Sequence, residues 1–206
     1  MIHIVDDEEV LRDSLQWLLR SRNMPCLAFN SAESFLDYLR SPAAETASPG
    51  CVLLDVRMEG MSGTELFEAL CADGLCAAWP VIFLTGHGDV PMAVDALKQG
   101  AFDFVEKPFN DNSLADRLVA ALAESARRLE SERNASSVEQ RLAALTPRER
   151  DVMELVVAGH FNKVIADRLG VAMRTVEVYR ARVFEKMGVK SAVELAIVLA
   201  ALRRDD

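Results

Sequence analysis

Residues 1–10 read MIHIVDDEEV, and how that stretch is parsed decides the fold. Ile2 to Val5 is a short apolar run without polar alternation, the pattern of a strand buried on both faces of a sheet. It runs straight into Asp6, Asp7, Glu8 and Glu9. Four like charges at the end of a buried strand repel one another and lose solvation, so something must offset them.

Further strand-like runs follow at 26–29 (CLAF), 51–54 (CVLL), 81–84 (VIFL) and 102–105 (FDFV). Between them lie amphipathic segments, such as Leu11, Leu15, Leu18 and Leu19 at helical spacing. Asn30 with Glu33, and Ser62 with Glu65, are spaced as capping boxes that open helices. Gly100 stands where a helix stop belongs. Short apolar strands interleaved with helices predict a doubly wound α/β domain built on a five-stranded parallel sheet. Near Ser113 a helical pattern begins (Leu114, Leu118, Leu122, Leu129) and turns polar at ESERNASS, 130–137, which reads either as a linker or as a solvated helix. Beyond it everything is helical. Thr146-Pro147-Arg148-Glu149 is a helix start with cap, first-turn proline and box glutamate. Helices are expected at about 162–169, 173–187 and 191–203, separated by Gly159, Gly170 and Gly188.

Charge follows the same division. Residues 1–125 hold 8 Lys+Arg against 20 Asp+Glu, whereas 126–206 hold 15 against 12, and 162–190 alone 7 against 3. An acidic half joined to a basic half points to two functions. No secretory leader is visible, and the longest apolar run, Leu195 to Leu202, falls well short of the roughly 20 residues that span a bilayer. Cys26, Cys51, Cys71 and Cys76 lack zinc-site spacing and read as reduced thiols, with Cys51 in a core. A soluble cytoplasmic protein without a membrane partner is expected.

In an open parallel sheet, ligands bind beyond the carboxyl ends of the strands. The polar residues there are Asp6 and Asp7 after the first strand, Asp55 after the third, Thr85 after the fourth and Lys107-Pro108 after the fifth. A hard divalent cation such as Mg²⁺ prefers oxygen ligands and few protein carboxylates, and it would offset Asp6 and Asp7. Asp55 would then serve as nucleophile toward a phosphoryl group. The metal and Lys107 would neutralise phosphate oxygens while Thr85 hydrogen-bonds one of them.

HIVDDEE, LLDVRMEGMSG, FLTGHGDVPMAV and FDFVEKPF resemble, in order and spacing, the flavodoxin-like receiver domain of two-component response regulators over 1–122. The resemblance implies that Asp55 is the phosphoacceptor of a sensor histidine kinase. It implies that Asp6, Asp7, Asp55 and the Arg57 backbone carbonyl hold Mg²⁺. Thr85 and Lys107 become the phosphate sensors, Phe104 the aromatic switch, and the bond before Pro108 is expected to be cis. Glu59 stands where the family usually has proline.

On a helical wheel of 173–187, MRTVEVYRARVFEKM, the residues Val176, Val183, Phe184 and Met187 face inward. Thr175, Val178, Arg182 and Lys186 point outward beside Arg174, a front suited to the major groove. With the preceding NKVIADRLG this predicts a helix-turn-helix. The stretch from Leu145 to Leu195 resembles the LuxR-type helix-turn-helix domain over 142–206, and the whole chain resembles a FixJ-like response regulator with 123–141 as its linker. Carried over, Arg174 to Lys186 form the recognition helix and Asn162 and Lys163 open the scaffold helix. Expected DNA contacts are thus Asn162, Lys163, Arg174, Thr175, Glu177, Val178, Tyr179, Arg182 and Lys186. Tyr179 stands where many members have His. The expected partners are a histidine kinase, double-stranded promoter DNA and a second copy of the chain on phosphorylation, with RNA polymerase left open.

A phosphatase reading fits these residues less well. Haloacid-dehalogenase-type enzymes want a second carboxylate two residues after the nucleophile, where this chain has Arg57. There is no P-loop, and Gly86-His87-Gly88 fails the dinucleotide fingerprint. His3, His87 and His160 are scattered. The chain is expected not to be an enzyme beyond slow self-dephosphorylation.

Overall fold

The computed structural model describes residues 1–44, 46–86 and 90–202, with backbone alone at 90–93, and His87 and Gly88 lie outside the described residues. The chain divides into two units, Met1–Glu130 and Ser131–Asp206.

In the first unit β1 (Ile2–Val5), β2 (Cys26–Phe29), β3 (Cys51–Asp55), β4 (Val81–Thr85) and β5 (Asp103–Glu106) form one parallel sheet in the order β2-β1-β3-β4-β5. Successive residues of β1 and β3 serve opposite cores, which is why neither strand alternates with polar residues. Val5, Val52, Leu54 and Phe83 pack under α2 (Ala32–Arg40) and α3 (Gly63–Ala72) through Phe35, Leu66, Phe67 and Leu70. Ile2, Ile4, Leu53, Ile82 and Leu84 pack under α1 (Glu9–Ser21) and the start of α6 (Asp111–Ala143) through Leu15, Leu19, Leu114 and Leu118. A short α4 (Leu75–Ala78), which the sequence reading did not include, precedes β4, and α5 (Val90–Lys98) precedes β5. Gly100 follows α5 at φ +104°, a conformation that favours glycine.

One capping expectation is corrected. Ser31, not Asn30, caps α2: its hydroxyl accepts from the Ser34 N–H at 3.2 Å, and the Ser34 hydroxyl accepts from the Ser31 N–H at 3.3 Å. The short serine pair satisfies both orphan donors locally, which frees Glu33 for another role. The Ser62–Glu65 box forms as expected at the start of α3. β5 is displaced by one residue from the expected 102–105 because the ladder continues to the Lys107 N–H, which donates to the Thr85 carbonyl at 2.8 Å.

Beneath the sheet Trp79 is buried, its indole N–H donating to the Ser48 carbonyl at 2.9 Å and its ring stacked on His3 at 4.3 Å. Burial drives the His3 pKa down to about 4, so the ring is neutral at physiological pH. A Cβ on Gly50 would lie 2.6 Å from the Trp79 ring. Cys51 is buried, which pushes its thiol pKa up to about 12 and leaves it unreactive. The buried Ser125 of α6 joins two distant segments: its hydroxyl accepts from the Gly50 N–H at 3.1 Å and donates to the Ala78 carbonyl at 2.7 Å. Arg128 adds a bond to the Cys76 carbonyl at 3.1 Å.

The stretch ESERNASS, left open between linker and helix, is helical within α6. In the second unit Thr146 caps α7 (Pro147–Val157) with Glu149 completing the box and Pro147 at the first position. Then come α8 (Asn162–Leu169), α9 (Met173–Met187) and α10 (Ala192–Leu202), close to the expected ranges. Val152, Val156, Ile165, Val176, Val183, Met187 and Leu195 form their common core, with Phe184 half-buried against it. Among the described residues no helix is long and apolar enough to cross a membrane.

Candidate functional site

The reversal of strand order lies between β1 and β3, so the carboxyl ends of these two strands open the crevice where ligands of such sheets bind. β1 delivers Asp6, fully buried, and the exposed Asp7; β3 delivers Asp55, 8% exposed. One carboxylate oxygen from each lies within 4.8 Å of the others. Lys107, carried in from the end of β5, places its Nζ 2.7 Å from Asp55 Oδ1 and 3.0 Å from Asp6 Oδ2. Asp6 Oδ1 also accepts from the Glu8 N–H at 2.8 Å, and Arg12 donates to the Asp6 carbonyl at 2.8 Å. The charges at the end of β1 are therefore offset by a lysine and a backbone N–H as well as by any cation. Burial pushes the Asp55 pKa up to about 6, with Lys107 pulling against it and the charges of Asp6 and Asp7 adding to it. Burial works against the Lys107 charge too, but the bonds and charges of Asp55 and Asp6 outweigh it, and its pKa rises above the ordinary lysine value.

The three carboxylates are an all-oxygen donor set of the kind hard divalent cations choose, and they can hold a metal ion. Thr85, fully buried, ends β4 beside Asp55, and its hydroxyl donates to the Gly86 carbonyl at 3.0 Å rather than to the acids. The Lys107–Pro108 bond is cis, as expected. Phe104 is half-buried on β5, paired in register with Phe83 of β4. Arg57 follows Asp55 by two residues, in the loop after β3.

The sequence reading missed two residues that position this site. Gly63 opens α3 so close to β3 that a Cβ there would sit 1.9 Å from the Asp55 carbonyl oxygen. Glu33, read as a cap, bonds the Ser31 side chain at the start of α2 and also accepts from the Met61 N–H at 3.2 Å, which fastens the loop after β3. Neither carried a signal in the sequence: a glycine after the Ser62 cap looks like any helix start, and the partner of Glu33 is a backbone group 28 residues away.

In the second unit α8 and α9 form the expected helix-turn-helix, with Gly170 in the turn at φ +65°. Lys163, Arg174, Val178 and Arg182 are exposed, and Asn162, Thr175, Glu177 and Tyr179 half-buried. Arg174 is paired with Glu177 at 3.0 Å, and Tyr179 packs against the helical core. Asn162 accepts from Arg180 Nη1 at 2.8 Å. Arg180, absent from the expected contacts, thereby ties α9 to α8, and it also lies over the Phe184 ring of its own helix at 5.5 Å. Lys186 has partners within the unit: its Nζ is 2.6 Å from Glu149 Oε2 and 3.0 Å from the Ala144 carbonyl, with its side chain 35% exposed. Glu149 is buried and box-bonded, so it draws in the nearest cation, and its pKa falls to about 2 through Lys186 and Thr146.

Comparison with known proteins finds two families along the chain. Residues 2–119 match the response regulator receiver domain, and residues 143–199 match the bacterial regulatory proteins of the luxR family. The C4-dicarboxylate transport transcriptional regulatory protein DctR of Rhodobacter capsulatus is 51% identical over 195 residues, covering 95% of this chain and 96% of its own. The transcriptional regulatory protein FixJ of Azorhizobium caulinodans is 46% identical, covering 94% and 89%. Among solved structures, the response regulator StyR superposes with a TM-score of 0.86 at 37% identity, covering 97% of both chains. Full-length FixJ from B. japonicum gives 0.60 at 42% identity, covering 98% and 97%.

Proposed function

The chain belongs to the two-component response regulators that join a receiver to a LuxR-type DNA-binding domain, transcriptional regulators of the FixJ/DctR type, and on that premise we propose that it is switched by phosphorylation of Asp55. The receiver implies a histidine kinase as donor and the second domain implies DNA as target. The observation that carries the reading is the convergence of Lys107 on Asp55 and Asp6 within a group of three carboxylates.

In this reading an Asp55 carboxylate oxygen attacks the phosphorus of a phosphohistidine, the N–P bond breaks, and an acyl phosphate forms on Asp55. Asp6, Asp7, Asp55 and the Arg57 carbonyl hold Mg²⁺, which when bound stabilises the negative charge on the transferred oxygens. Lys107 leaves Asp6 for a phosphoryl oxygen. The Thr85 hydroxyl exchanges the Gly86 carbonyl for another, and Phe104 turns inward behind it. A response regulator with a DNA-binding output is typically not an enzyme, and we expect only slow self-dephosphorylation.

The altered α5–β5 face then pairs with a second copy about a two-fold axis, which suits a palindromic promoter site. On DNA, Arg174, Thr175, Glu177, Val178, Tyr179 and Arg182 face the major groove while Asn162 and Lys163 meet the backbone. RNA polymerase is a further candidate partner, and the cytoplasm the compartment that kinase and DNA share. The test is sedimentation of the full chain with Mg²⁺, with and without beryllofluoride, beside Asp55→Asn. A monomer that becomes a dimer only in the wild type supports the reading. Unchanged mass with beryllofluoride bound refutes dimer switching.

A further inference from the structure

The loop that leaves Asp55 is held from two sides by carboxylates. The Glu59 N–H donates to Asp7 Oδ2 at 2.8 Å, and the Met61 N–H donates to Glu33 Oε1 at 3.2 Å. Gly60 lies between them at φ +79°, which turns the two N–H groups toward different acids. The three members of the acid group are restrained unequally. Asp6 is buried and bonded to the Glu8 N–H and Lys107, and Asp55 is bonded to Lys107. Asp7 is exposed, and what holds it is the Glu59 N–H.

A carboxylate has several lone pairs on each of two oxygens, so one oxygen can take the loop N–H while the other faces a cation. A solvent-exposed carboxylate without such a bond must lose rotamer freedom when it binds, and a group restrained beforehand has already lost it. The Glu59 side chain is exposed on the same loop, and its negative charge adds to those of the acid group and of Glu8 and Glu9.

We propose that Glu59 is a positioning residue for the divalent cation, its backbone N–H holding Asp7 beside Asp6 and Asp55 and its carboxylate raising the attraction of the rim. The inference rests on the reading of Asp6, Asp7 and Asp55 as a cation site. The two contributions separate by substitution, because every residue except proline supplies the N–H. Glu59→Gln removes the charge and keeps the bond; Glu59→Pro removes both.

The experiment is a calorimetric titration of the full chain with MgCl₂, with no phosphoryl donor present. Glu59→Gln should weaken binding roughly twofold, as an exposed charge does. Glu59→Pro should weaken it roughly tenfold, the rotamer freedom that an unrestrained Asp7 must then lose on binding. Equal affinities for the two variants overturn the proposal. Amide exchange in the unsubstituted protein gives a second reading free of any damage proline does to the loop. The Glu59 N–H should exchange slowly and more slowly still with MgCl₂; exchange at the rate of a free amide in both conditions overturns the proposal. If the wild type takes up no Mg²⁺, the cation-site reading falls and this inference with it. If the wild type binds and proline costs no more than glutamine, only the role of Glu59 falls.

Discussion

Gly63→Ala is expected to destabilise the receiver and disturb its acid site in one step. The added Cβ would lie 1.9 Å from the Asp55 carbonyl oxygen, 3.0 Å from the Asp55 carbonyl carbon and 3.2 Å from Leu54 Cγ. Ordinary contact is about 3.5 Å, so the overlap with the oxygen is roughly 1.6 Å. The obstructing atom is backbone of a central strand, which cannot swing aside as a side chain would. Either α3 lifts from the sheet or the end of β3 shifts and carries Asp55 with it. Overpacking of this kind costs about 3 kcal/mol. Alanine returns about 1 kcal/mol through its helix propensity and the lower entropy of its unfolded chain. The net loss is about 2 kcal/mol, or a urea midpoint lowered by about 1 M. Tryptophan fluorescence is the assay, because Trp17 and Trp79 both belong to the first unit and report on it alone. A variant as stable as the parent, with undiminished Mg²⁺ affinity, would refute the close approach of α3 to Asp55.

Other outcomes are expected in the helical unit. Lys186→Met should lower its stability by about 2 kcal/mol by leaving the buried Glu149 carboxylate without its cation, read from the far-ultraviolet dichroism of its transition. Because the folded pKa of Glu149 is depressed from 4.5 to about 2, its contribution is fully present above pH 4.5 and is lost as pH falls toward 2. Glu149→Gln should flatten that part of the acid-unfolding curve, and an unchanged acid slope would sink the assignment. Arg182→Ala should reduce the slope of log affinity against log salt by about one per DNA-bound subunit while weakening binding to all sequences alike. A change in sequence preference at constant slope would instead make Arg182 a base reader.

What could be read from the sequence, and what could not, divides by range. β1, β3 and β4 and the polar residues at their ends were legible because burial on both faces leaves continuous apolar runs, whereas the edge strands β2 and β5 are only partly buried and leave weaker ones. The Thr146 box and the glycines ending α7, α8 and α9 were legible because capping is local. The ion pair of Lys186 was not legible, because its wheel position says only that it points away from Val176. Its partner Glu149 lies 37 residues back and had already been assigned to a cap. The Met61 bond of Glu33 was hidden in the same way, as spacing spoke only for a helix start. The short α4 left no period to detect. Gly63 shows the same limit, since a glycine in a helix start looks ordinary until the strand beneath it is placed.

The hydroxyl of Ser125 bears on where the first domain can be cut. Gly50 and Ala78 lie in separate crossings under the sheet, and that hydroxyl completes the hydrogen bonding of both. A gene fragment ending at 122, the boundary the sequence suggests, would encode all five strands and every acid-site residue yet leave the Gly50 N–H and the Ala78 carbonyl unmatched beside Trp79. It would also lose Arg128 from the carbonyls of α4. A fragment ending at 130 keeps them. The piece that can be transplanted onto another output domain thus includes about five turns of α6, and chimeras joined earlier should express as poorly packed proteins even with an intact acid site.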